Sequence, residues 1–157
     1  MIKRSILSVV ALCASAMPAQ ANIYSLVSNN RLTRTVEASG VRVVYDTEYC
    51  FERGSFGYYM PKSKVLGLCV ANHEGDIAEL GDTLRHEAIH VAQTCYGRGK
   101  ARPILSWTQI SKYSNNRILA IVQRYRPEHQ HIEYEAFTAA ATMTNNQVAD
   151  IVTKFCF

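Results

Sequence analysis

The 157-residue chain has no run of five or more like charges, no internal repeat, no low-complexity tract and no linker rich in proline, glycine or serine. The first absence speaks against a nucleic-acid partner. Arg98, Lys100 and Arg102 come nearest to a basic patch, and they read as a solvated loop around Gly97, Gly99 and Pro103. Without a linker or repeat, there is no reason to draw a domain boundary downstream of residue 21. The apolar stretch Ile6 to Met17 is shorter than the roughly 20 residues a bilayer span requires, so no stable membrane anchor is expected. No two cysteines lie two to four residues apart, which removes a structural site of four thiolates.

The first stretch has the form of an export signal. Lys3 and Arg4 precede an apolar run to Cys13, and Ala19-Gln20-Ala21 has the small-x-small pattern of a cleavage site, so residues 1–21 are expected to be removed and 22–157 to form one domain. Lys3 and Arg4 carry two of the four net positive charges, leaving +2, a balance that selects no partner. The expected compartment is periplasmic or extracellular, and the chain reads as a monomer. Loss of Cys13 leaves Cys50, Cys69, Cys95 and Cys156, an even set bound for an oxidising environment. Four cysteines allow three pairings. The expectation is Cys50–Cys69, which sit in neighbouring candidate strands, and Cys95–Cys156, tying the end of a central helix to a C-terminal one.

Periodicity divides the chain into strands first and helices afterwards, an α+β arrangement. Val41 to Asp46 alternates with a period of two. Ser55 to Met60 and Val65 to Ala71 are aromatic and β-branched around a turn at Pro61 to Lys64, and the three suggest a small antiparallel sheet. Helices are expected from Asp82 or Thr83 to Gln93, from Ile104 to Tyr125 with a break near Asn115-Asn116, from Glu128 to Met143, and from Asn145 or Asn146 onward. Ile23 to Leu32 stays open between helix and irregular structure.

His86-Glu87-Ala88-Ile89-His90 falls in the first of these helices. Four residues apart, the two imidazoles project from one face and can close on one metal ion, while the offset of Glu87 lets its carboxylate reach water rather than metal. Zinc suits such nitrogen and oxygen donors and takes three from the protein in catalytic sites. For the third, Gln93 and Tyr96 stand where a metzincin needs Gly and His, which excludes that subclass. Glu133 on the later helix is the better candidate and Glu135 its competitor. Two positions apart on a helix, the two carboxylates point about 200° apart and cannot both face the metal. Ala136 and Ala140 lie on the side of Glu133 and would let that helix approach closely. His129 and His131 can each be a ligand, an oxyanion donor or a solvated residue at a helix start, Tyr125 and Tyr134 are oxyanion donors or plain aromatics, and His73 carries no assigned role.

The string Thr83 to Gln93, followed by Glu133-Tyr134-Glu135-Ala136, resembles the gluzincin metallopeptidases. In several of those families the third zinc ligand is the first Glu of a Glu-x-x-Ala string, which maps onto Glu133. The resemblance implies one zinc ion, a peptide or protein substrate held along a strand edge, and Glu87 as general base. It covers two short motifs and their spacing. Many gluzincins carry an acidic residue four positions after the ligand to orient the first histidine, and here that position is Phe137, so the supporting shell has to be built otherwise. The expected function is therefore that of an exported zinc metallopeptidase. The alternatives are a disulfide-stapled binding or structural module with a non-catalytic zinc site, or a zinc hydrolase of non-protein amides or cell-wall peptides.

Overall fold

The structure is a computed structural model and describes residues 17–106, 112 and 115–157, with side chains from residue 22 onward. Residues 1–16 of the expected leader, and residues 107–111, 113 and 114 of the expected helix from Ile104, lie outside the described residues.

Helix α1 (Met17–Ser28) ends at the Asn29-Asn30 pair, and α2 (Arg31–Ala38) starts immediately after it, capped by the Asn30 side chain, which accepts from the Leu32 N–H at 2.9 Å. The open stretch Ile23 to Leu32 is thus two helices joined at a cap, because an Asn side chain satisfies one of the N–H groups a helix start leaves orphaned. Past the expected cleavage point, Val27 is buried and the Tyr24 ring meets Tyr45 edge-on while its hydroxyl donates to Asp46.

Strands β1 (Arg42–Tyr45), β2 (Gly57–Met60) and β3 (Val65–Leu68) fall inside the expected segments, with a short helix α3 (Glu48–Arg53) between the first two. The sheet order is β1-β3-β2, with β2 antiparallel to β3 and β1 parallel to it. The sheet is therefore mixed rather than antiparallel throughout. The chain reverses once through α3 and again through the tight turn at Pro61 to Lys64, so β1 and β3 run the same way, and adjacent strands of one direction pair in parallel.

Helix α4 (Ile77–Tyr96) is the spine. It begins earlier than its apolar stripe suggests, because the Asp76 side chain accepts from the N–H groups of Ala78 and Glu79. The sheet, α2, α6 (Pro127–Thr142) and α7 (Asn145–Cys156) pack around it, with α5 (Asn116–Val122) lying on α6. Leu66, Leu68, Leu84, Ile89, Val91 and Val148 are almost completely buried in this core, and each such side chain contributes about 1.5–3 kcal/mol. Ala136, Ala139 and Ala140 are buried on α6, and side chains this small allow its axis to lie close to α4. Arg85 adds a polar tie, donating to Ala140 O at 3.0 Å and Asn145 Oδ1 at 2.9 Å.

Two disulfides close the fold, Cys50–Cys69 and Cys95–Cys156. They suit an oxidising, exported environment. Among the described residues no helix is long and apolar enough to cross a membrane.

Candidate metal centre

His86 and His90 occupy successive turns of α4, and their Nε2 atoms lie 3.0 Å apart. Helix α6 carries Glu133 across to them: its Oε2 is 3.4 Å from His86 Nε2 and 3.6 Å from His90 Nε2. Among the described residues these three form a group able to hold a metal ion. The separations fit zinc, since tetrahedral bonds of about 2.0–2.1 Å put donor atoms roughly 3.3 Å apart.

Glu135 is turned elsewhere. Its buried carboxylate accepts from Gln93 Nε2 at 2.7 Å, from the Ile104 N–H at 3.0 Å and from the Leu105 N–H at 2.6 Å. The alternative third ligand is corrected accordingly: the half-turn between positions 133 and 135 sends one carboxylate to the histidines and the other to a loop.

Electrostatics bind the three donors together before any ion is considered. Burial alone would pull the His90 imidazolium down, but the adjacent Glu133 carboxylate and the charge of Glu87 outweigh it and raise it to about 9. Burial pushes the Glu133 carboxyl up, and the His86 and His90 rings beside it reverse that and hold it at about 2. Glu87 is buried beside them. Desolvation raises its carboxyl, only partly countered by His86 and His90.

His86 and Glu87 open onto a cleft of about 540 Å³, walled by Ser55, Phe56 and Gly57 on one side and by Ile118, Ile121, Tyr125 and Phe137 on the other. The first wall is the start of β2, an edge strand. β3 is the central strand, bonded on both sides, and neither it nor β1 lines the cleft. Gly57 is what lets β2 come so near: a Cβ there would stand 2.5 Å from Thr83 Cγ2 and 3.2 Å from Glu87 Cγ.

His131 and Tyr134 are not among the residues that line the cleft. Tyr134 is buried with Ile118 and Val122, its direction about 100° around the helix from Glu133. Tyr125, which precedes α6, lines the cleft instead, and its hydroxyl is raised to about 12 by burial and by the charges of Glu133 and Glu87. His129 is exposed. His73 is buried under Phe56, with its ring nitrogens 3.4 Å from Glu79 Oε2 and 3.3 Å from Phe56 O.

Phe137 packs its ring against His86 at 4.3 Å between centroids, and the buried His86 Nδ1 has no hydrogen-bond partner among the described residues. On the other histidine, Nδ1 lies 2.8 Å from Gln93 Oε1. Sequence reading passed over Gln93, although its position three residues after His90 on a helix was the available signal.

No curated protein and no solved structure matches the chain. A family model does match, over residues 22–157. The chain belongs to the family described as Domain of unknown function (DUF8637).

Proposed function

We propose that this chain is an exported zinc metallopeptidase of gluzincin type, with His86, His90 and Glu133 holding the metal. The observation that carries the reading is the convergence of two imidazoles and a carboxylate, with the buried Glu87 beside them and with His86 and Glu87 lining an open cleft. Zinc, when bound, supplies Lewis acidity toward a carbonyl and toward water, whose pKa it lowers to about 7.

The remaining chemistry falls to side chains. Glu87 takes the proton of the attacking water and passes it to the departing amine, a role that suits a carboxyl whose proton affinity desolvation has raised. Tyr125 donates its hydroxyl hydrogen to the carbonyl oxygen as negative charge develops there. An extended peptide pairs through its backbone with the free edge of β2, above Gly57. The two disulfides support export, and so does a family match that begins at Asn22, the expected mature start.

A purely structural zinc site would close all four metal positions and need no base, whereas Glu87 is buried beside this group and the cleft is open to His86. The test is zinc stoichiometry together with hydrolysis of a mixed peptide library, compared between wild type and Glu87→Gln. One zinc per chain with hydrolysis lost in the variant is the expected result. Hydrolysis equal in both, or absent from both, overturns the enzyme reading.

A further inference from the structure

A buried polar chain runs from the back of the metal group to the loop that follows α4. Gln93 is fully buried, and its Nε2 donates to Ile132 O at 3.0 Å and to Glu135 Oε2 at 2.7 Å. Both amide hydrogens are thereby committed, so the opposite end of the amide, Oε1, faces His90 Nδ1 at 2.8 Å and can only accept. The proton between them therefore sits on His90 Nδ1, which leaves Nε2 as the nitrogen that faces the donor group. Glu135 sets this direction. As a carboxylate it offers only acceptors, and it holds Gln93 Nε2 from one side and the N–H groups of Ile104 and Leu105 from the other.

We infer that Gln93 and Glu135 are positioning residues that fix the ring orientation and tautomer of His90 for metal binding. The inference rests on the zinc reading and extends it to side chains that touch neither metal nor substrate. It also accounts for an asymmetry of the site: His90 is held from behind by this chain, while the His86 ring packs against Phe137 and its Nδ1 has no hydrogen-bond partner among the described residues. Glu135→Gln would set an amide N–H₂ against the donor of Gln93. Gln93 would lose one of the two acceptors that fix its direction, Ile132 O being the other, and its hold on His90 Nδ1 would weaken.

The test uses the full chain labelled with ¹⁵N-histidine, as wild type, Gln93→Met and the near-isosteric Glu135→Gln. The Nδ1–H resonance of His90 is recorded without metal and with zinc, zinc Kd is measured by chelator competition, and the melting midpoint is taken in excess chelator. The expected result is a protected His90 Nδ1–H in wild type, lost or shifted in both variants. Zinc Kd should weaken by about 10- to 100-fold, the range typical of outer-shell partners, in at least one variant whose metal-free midpoint is unchanged. Variants that keep the resonance and bind zinc within twofold of wild type overturn the inference. A loss of affinity that tracks a falling metal-free midpoint in both variants does so too, because it marks a role in folding alone. Wild type that keeps the resonance but takes up no zinc overturns the underlying zinc reading, and that result stands apart in the first titration.

Discussion

Oε2 of Glu133 lies 3.4 Å from Nε2 of His86, a contact that joins α6 to α4. It joins groups of opposite charge preference in a partly buried setting, so removing either one leaves the other uncompensated. Glu133→Ala is expected to weaken zinc binding by more than the roughly 100-fold upper end for outer-shell residues, while the fold persists. Chelator competition and circular dichroism on the same sample measure both quantities.

Glu87→Gln separates metal binding from chemistry. The amide keeps the shape of the side chain but cannot take a proton. Zinc stoichiometry should stay at one per chain while kcat/KM falls by about 10²- to 10⁴-fold, the usual contribution of a general base.

The pH dependence of the metal-free and zinc-loaded protein should run in opposite directions. His90 is raised from 6.5 to about 9 in the fold, so its contribution to metal-free stability is complete below 6.5 and is lost as pH rises through 9. Glu133 is lowered from 4.5 to about 2, so its contribution is present above 4.5 and is lost as pH falls through 2. Zinc has to displace the His90 proton, so zinc affinity should climb with pH by about tenfold per unit up to the region of 9. Melting midpoints in chelator and zinc Kd values across pH 5 to 10 check this, with equal slopes in both series as the result that contradicts it.

The disulfides should differ in worth. Cys95–Cys156 closes 61 residues and Cys50–Cys69 closes 19. On chain entropy alone these correspond to about 4 and about 3 kcal/mol, so the Cys95→Ser/Cys156→Ser pair should lower stability more in urea titrations.

Gly57→Ala should cost about 1–3 kcal/mol, the usual range for overpacking, because the new methyl meets Thr83 Cγ2 at 2.5 Å. Thr83→Ser removes that methyl and should restore part of the loss. Urea midpoints of the two single variants and the double variant decide it.

Several features of this protein are local, and the sequence by itself determined them. His86, Glu87 and His90 share a helix face or its flank because helical spacing requires it, and Glu133 and Glu135 diverge for the same reason. Alternation and turn residues located the three strands, and the parity of the cysteines indicated two crosslinks. Side-chain periodicity is set by backbone geometry within a few residues, so it can be read along the chain.

Only the tertiary structure decided what meets across elements. β1 lies beside β3 and makes the sheet mixed, and the free edge at the cleft belongs to β2. Tyr125 reaches the cleft where His131 and Tyr134 do not. Gln93 and Glu135, ordinary polar letters in a helical pattern, become a directed hydrogen-bond chain only when α6 and the Ile104 loop close on α4. Such partnerships depend on how helices and strands stack over distances that no short-range pattern encodes, and a buried amide acquires its direction only from the donors and acceptors that packing brings to it.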